Sequence, residues 1–231
     1  MTEMVPNYND TNMQWELGNS SMQKVKGPSA QIHYDGKFHW VASLRNEKNH
    51  IFLLDSMYDK NVEIRPLVAI QLCQIYGNGN SRLSVYRSNV QRQGNGTLNC
   101  GVFAIANVVE FCINGYTELE NCTRDWDFDE GNMRNHLVKC IKDGKFTCFP
   151  KVDRNCKLMD FDREFIDVSC KGKCGLPDLF CDLIECDRCN CWFHKICGEV
   201  DKDDTDKWFC NACKSNNMSK RTIRKPRVLD L

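Results

Sequence analysis

The sequence predicts an α+β chain in two parts, a mixed helix-and-strand domain and a small metal-braced module after it. Three observations carry this expectation. β-type runs and helical periods alternate between residues 30 and 150. Ligand-type residues crowd into 170–213, six of them as Cys186-x2-Cys189-x4-His194-x2-Cys197-x12-Cys210-x2-Cys213. The chain of 231 residues, 42% hydrophobic and 10% aromatic, suffices for one ordinary core plus a small domain. Its 31 basic and 31 acidic residues balance, so no global charge steers it toward nucleic acid or a membrane surface. No run approaches the roughly 18 apolar residues of a membrane-spanning helix. Residues 1–23 lack the apolar stretch of a signal peptide. The expectation is an intracellular protein whose 16 cysteines are reduced and serve metal, catalysis or core.

The elements follow in order. Residues 1–29 show no sustained period and read as a loose or incomplete segment. Phe38 to Leu44 and His50 to Met57 are β-type runs around the turn Asn46-Glu47-Lys48-Asn49, so they read as an antiparallel hairpin. Ile64 to Ile75 has a helical period at Ile64, Leu67, Val68, Leu72 and Ile75. Leu83 to Tyr86 is a short strand before the polar loop Gln91–Thr97. Cys100 to Gly115 is apolar on nearly every side and predicts a buried helix stopped at Asn114-Gly115. Residues 117–131 read as an acidic surface loop, Met133 to Lys142 as a further helix, and 151–169 as a polar linker. The tail 214–231 is basic and is a candidate nuclear address. The resulting division is 1–29, 30–150, 151–169, 170–213 and 214–231.

Zinc takes four soft or borderline ligands in a tetrahedron, and a Cys-x2-Cys pair supplies two of them from one tight turn. With Cys170 and Cys174 ahead of the six spaced ligands, the single histidine comes fifth of eight. That order, with Trp208 two residues before Cys210, resembles a PHD finger; a RING finger usually has its histidine fourth. The resemblance implies a cross-brace with two structural zinc ions. Cys170, Cys174, His194 and Cys197 would hold one, and Cys186, Cys189, Cys210 and Cys213 the other. The spacing Cys170-x3-Cys174 is one residue longer than usual, which leaves Cys181 as an alternative to either. Trp192 stands where methyl-lysine-reading members place a cage wall, and Asp178, Asp182, Glu185 and Asp187 would favour a basic peptide, so a histone tail is an implied partner.

Among the remaining cysteines, Cys100 opens the buried helix, where exposed N–H groups and the helix dipole favour a thiolate nucleophile. A thiol nucleophile needs a base and a group to orient the base. A turn near 46–49 brings His39 and Asp55 within about one position of cross-strand register. Gln91 and Gln93 upstream of Cys100 are both candidate oxyanion donors. His33 and His50 read as surface residues, Asp35 and Asp59 as turn residues, and Cys73, Cys112 and Cys140 as core. Cys122, Cys148 and Cys156 carry no assignment.

These segments, His39-Trp40-Val41, Leu54-Asp55-Ser56, Gln93-Gly94-Asn95-Gly96 and Asn99-Cys100-Gly101-Val102-Phe103-Ala104, resemble the ULP-type cysteine peptidases. That family includes the SUMO-specific proteases, adenovirus-protease-like enzymes and transposon-encoded relatives. Met133-Arg134-Asn135-His136-Leu137 and Phe149-Pro150 resemble the transposon type in particular. The resemblance covers about residues 30–150 and implies a papain-like fold, with Cys100 as nucleophile, His39 as general base and then acid, and Asp55 as its orienter. Gln93 and the N–H of Cys100 would form the oxyanion hole, and Trp40 would wall the passage for a Gly-Gly tail. The implied activity is hydrolysis of a peptide or isopeptide bond after a ubiquitin-like modifier. Three departures stand out. Asn99 replaces the usual Asp, the Gln93–Cys100 spacing is one residue longer, and the family's N-terminal helical segment has no counterpart in residues 1–30. The last implies an N-terminally incomplete member, and the rival expectation is a vestigial peptidase acting as a chromatin or protein adaptor through its finger. With the basic tail, the finger points to the nucleus. Neither a membrane nor nucleic acid is required.

Overall fold

Residues 24–88, 91–115, 123–158, 161–172, 174–200 and 207–215 are described here from a computed structural model. The N-terminal segment before residue 24, Cys122 and the basic tail from 216 lie outside them.

A five-stranded sheet forms the centre. Its strands are β1 (Ser29–Tyr34), β2 (Trp40–Arg45), β3 (Ile51–Leu54), β4 (Arg82–Ser88) and β7 (Asp162–Asp167), in the order β1-β2-β3-β4-β7. The neighbours are antiparallel except β3 and β4, which run parallel. A parallel pair needs a crossover, and helix α1 (Pro66–Tyr76) supplies it. Pro66 starts this helix, where its missing N–H leaves no bond unmade.

Both faces of the sheet are covered, which explains the unbroken apolar run of β3. Ile51 and Leu53 point to one face with Val41, Val85 and Ile166, and α1 packs there through Val68, Ala69, Leu72 and Ile75. Phe52 and Leu54 point to the other, against helix α2 (Cys100–Asn114) through Val102, Phe103, Ala106 and Val109. The alternation is the period of two that a strand imposes. The second core continues into Trp126 and Phe128 of β5 (Thr123–Phe128), Met133 of helix α3 (Glu130–Asp143), and Phe149. Strand β5 pairs with β6 (Lys151–Leu158), with an irregularity between Arg124 and Trp126. There the buried guanidinium of Arg124 lies 3.7 Å from the Trp126 ring centroid.

The last part holds a 3₁₀ turn (Asp178–Phe180), a two-stranded ribbon of β8 (Leu183–Glu185) and β9 (Trp192–His194), and helix α4 (Asn211–Ser215). It is docked, not tethered. Leu176 and Phe180 pack on Leu67 and Ile70 of α1, so this helix is buried from both sides.

Several expectations change. Residues 151–169 are not a polar linker: they contain β6 and β7, and β7 completes the central sheet by pairing residues 162–167 with 82–87. Their charged alternation is the outward-facing half of edge strands. The loop expected over 117–131 holds β5 and the start of α3. Part of the loose segment 1–29, from Ser29, opens strand β1, whose register with β2 runs Ser29↔Arg45 to Tyr34↔Trp40. His33 is not a surface residue. It is buried at the join of β1, β2 and α1, with Nδ1 2.8 Å from Gln71 Oε1 and Nε2 2.6 Å from Ser43 Oγ. Burial pulls its pKa down to about 4, against the hydrogen bond with Gln71. Cys112 is exposed on α2, not core, while Cys73 and Cys140 are buried.

Candidate active site and metal centres

Four elements converge on one cleft of ≈ 340 Å³, lined by His39, Asp55, Gln93 and Cys100 among others. His39 immediately precedes β2, Asp55 follows β3, Gln93 lies in the connection from β4 to α2, and Cys100 is the first residue of α2. The pairing ends at Ala42↔Leu54, and continuing its register to His39 would reach position 57, although the chain turns at Asp55–Tyr58. The offset is two positions, not the expected one, and two positions restore the same side of a pleated sheet.

His39 Nε2 donates to Asp55 Oδ1 at 2.7 Å. That bond leaves Nδ1 as the working atom. Nδ1 is buried and meets no hydrogen-bond partner among the described residues. Cys100 is close enough to influence the ring, and its Sγ lies 4.0 Å from the carbonyl oxygen of Phe38, the residue before His39. Burial would lower the His39 pKa, but the hydrogen bond and charge of Asp55, with the neighbouring Cys100, outweigh it and raise it from 6.5 to about 8. Asp55 is itself held, its Oδ1 accepting the N–H of Met57 at 2.7 Å.

The turn before His39 is tied at both ends. Asp35 Oδ1 accepts the N–H groups of Lys37 and His39 at 2.7 and 2.9 Å. Asp35 Oδ2 pairs with Arg65 at the start of α1, at 2.9 Å. Phe38 between them has φ 78°, a left-handed conformation that a bulky residue rarely adopts. Phe38 is 91% exposed and lines the cleft, as does Leu98 at 85%.

Of the two glutamines, Gln93 faces this cleft and Gln91 does not. Gln91 accepts from the N–H of Phe128 (2.6 Å) and donates to its carbonyl (2.9 Å), locking β5. Gln93 Oε1 accepts from Ser56 Oγ at 2.9 Å, and its Nε2 donates one N–H to Thr97 O at 2.6 Å. The Thr97 carbonyl, which can only accept, therefore sets which end of the amide is the donor, and a second N–H remains on Nε2. Trp40 stacks on Tyr34 with ring centroids 4.7 Å apart. It also lies over the start of α2, where a Cβ on Gly101 would come within 3.5 Å of its ring.

The last part gathers two sets of four donors, Cys170/Cys174/His194/Cys197 and Cys186/Cys189/Cys210/Cys213, each with all ligand atoms within 4.8 Å of one another. Tetrahedral thiolates about 2.3 Å from a zinc ion stand about 3.8 Å apart. Cys189 and Cys210 sulfurs are 3.9 Å apart, and His194 Nδ1 is 3.4 Å from Cys174 and 3.9 Å from Cys197. His194 Nε2 donates to Pro177 O at 3.0 Å, which leaves Nδ1 as the ligand atom. Both sets fit a metal ion. Cys181 belongs to neither. Trp208 packs beside the second set with Phe193 at 5.3 Å. Trp192 is 44% exposed on β9. Of the four acidic residues expected to favour a basic peptide, Glu185 lies opposite Trp192 in the ribbon, while Asp178 accepts Ser169 N, Asp187 accepts Trp208 N, and Asp182 pairs with Lys195.

No protein-family model, curated protein or solved structure matches the chain. Sequence reasoning missed Ser56 as a partner of Gln93, Asp35 as the cap of the His39 turn, and the contacts of Glu130 described below. An acidic residue opening a helix is a legible signal; its pairing with a loop some 35 residues upstream is not.

Proposed function

We propose that the chain is a cysteine peptidase of ULP type with a papain-like core, followed by a PHD-type finger holding two zinc ions. The observation that carries this reading is the convergence of Cys100, His39, Asp55 and Gln93 on one cleft, with Asp55 bonded to the ring nitrogen of His39 that leaves the other free.

In this mechanism the Cys100 thiolate attacks the carbonyl carbon of the scissile amide. The oxygen becomes an oxyanion, held by the Cys100 N–H and the second N–H of Gln93 Nε2. As the first residue of a helix, Cys100 has no intrahelical carbonyl for its N–H. His39 gives its Nδ1 proton to the leaving amine, the C–N bond breaks and a thioester remains. His39 then takes a proton from water, the resulting hydroxide adds to the thioester, and the C–S bond breaks to release the acid and the thiolate. Asp55 holds the ring and stabilises its charged form throughout.

The substrate class this reading implies is a ubiquitin-like modifier, or a protein carrying one, cleaved after a Gly-Gly end that passes Trp40. The finger would direct the enzyme in the nucleus, with a histone tail as the ligand class for Trp192. The zinc ions supply structure, not chemistry, to the reaction.

The test is covalent capture by electrophiles built on the C-termini of SUMO, ubiquitin and related modifiers, with adducts located by mass spectrometry. One modifier is expected to label Cys100 and to fail on Cys100→Ser. A folded, zinc-loaded protein that takes no probe at Cys100 overturns the peptidase reading and leaves the finger as the functional part.

A further inference from the structure

The loop between Gln93 and Cys100 carries both oxyanion donors of the reading above, one at each end. Its conformation is set from outside, by the first turn of α3. Glu130 accepts three groups of the loop: Gly94 N at 2.9 Å, Asn99 Nδ2 at 2.8 Å, and the Thr97 hydroxyl at 3.0 Å, which it shares with Gly94 O. Arg134, one helical turn further on, donates its Nε to Asn99 Oδ1 at 2.7 Å and its Nη2 to Leu98 O. Residues four apart share a helix face, so Glu130 and Arg134 address the loop together. Asn99 lies between them and uses both ends of its amide, its donor on the carboxylate and its acceptor on the guanidinium.

We propose that Glu130, Asn99 and Arg134 are positioning residues for the oxyanion loop, and that the charge of Glu130 is what requires an amide at position 99. This rests on the peptidase reading for its catalytic consequence, though not for its geometry. A carboxylate at position 99 still accepts from Arg134, but has no proton to give Glu130. Two carboxylate oxygens at the 2.8 Å that now separates Asn99 Nδ2 from Glu130 repel, and the loop must shift to part them. A glutamine at position 130 removes the repulsion because its amide donates to that carboxylate. Beside the wild-type Asn99 the same glutamine has one acceptor for two donors: its amide nitrogen meets either the Asn99 amide or the Gly94 N–H, and turning Asn99 over sets a donor against Arg134. Each single substitution therefore breaks the arrangement, and the pair restores it.

The experiment compares Asn99→Asp, Glu130→Gln and the double variant in the full zinc-loaded chain by two readouts. The first is acylation of Cys100 by the modifier probe that labels the wild type, alongside alkylation by iodoacetamide, which builds no oxyanion. Each single variant is expected to lower the maximal acylation rate by about tenfold to a hundredfold at unchanged half-saturation, with alkylation far less affected; the double variant returns close to wild type. The second readout is hydrogen exchange of the Gly94 amide, whose acceptor is Glu130. Exchange is expected to speed up in each single variant and slow again in the double, with or without turnover. Wild-type behaviour of Asn99→Asp in both readouts, or a double variant no better than the worse single, overturns the proposal. If exchange follows the pattern but no probe ever labels Cys100, the positioning device stands and the peptidase reading falls.

Discussion

Replacing Asp55 with Asn removes the charge that keeps the His39 ring protonated while leaving a hydrogen-bond acceptor at 2.7 Å from Nε2. In the intact protein His39 titrates at about 8, although burial opposes its charge. Without the aspartate, burial, the largest single influence, is opposed by Cys100 alone, and the ring should titrate near its ordinary 6.5. The drop of about 1.5 pH units corresponds to about 2 kcal/mol between protonation states. At pH 7.5 the charged fraction falls from about three-quarters to about a tenth. An NMR titration of the ring C–H signals, with His39→Gln to assign the resonance, reads the shift directly. The same change should appear in stability. The folded value is raised, so the pH-dependent stabilisation by His39 is fully present below pH 6.5 and is lost as pH rises through 8. The difference in unfolding free energy between wild type and Asp55→Asn should therefore shrink across that window. A wild-type ring titrating near 6.5, or an Asp55→Asn ring still near 8, would refute the reasoning.

His33 works in the opposite window. Its folded value is about 4, so its stabilisation is present above pH 6.5 and lost as pH falls through 4. Denaturant unfolding should show a loss of about 3 kcal/mol over that range, absent in His33→Gln. Chelation should release two metal ions per chain, counted with a metal-binding dye, because both donor sets fit a tetrahedral ion. Since Leu176 and Phe180 cover Leu67 and Ile70 of α1, the thermal midpoint of the α+β part should fall as well; an unchanged midpoint would show the cysteine-rich part to be an independent unit. Phe103→Ala should cost about 3–5 kcal/mol, measured by urea unfolding, because that ring is buried between the sheet and Phe128.

What the sequence made legible was local. Helix α2 announced itself because its apolar residues run all round and Gly115 ends it in a left-handed conformation. The two donor sets follow from short spacings, and the pairing of alternate ligands is what the structure shows. The hairpin was legible from its turn, but its register was not: Asn49, at φ 61°, places the turn such that His39 and Asp55 differ by two positions. What escaped the sequence was long-range. Strand β7 reads as charged linker because an edge strand offers only one face to a core, and only its pairing with β4 identifies it. His33 reads as a surface residue because nothing local reveals that Gln71, Ser43 and Tyr76 will meet around it, with Ser43 Oγ 2.8 Å from the Tyr76 hydroxyl.

Helix α1 was placed correctly by period, yet its period under-reports its burial. The pattern at 64, 67, 68, 72 and 75 describes one apolar stripe, whereas nine of its residues from Leu67 to Tyr76 are buried. The second covered side exists because Leu176 and Phe180 of the cysteine-rich part lie on it. Its N-terminal neighbour Arg65 holds Asp35, and Asp35 holds the N–H of His39. A module with two candidate metal sites and a candidate general base thus share one helix as their support. That connection is written in packing between distant segments, and no spacing of cysteines or period of leucines encodes it.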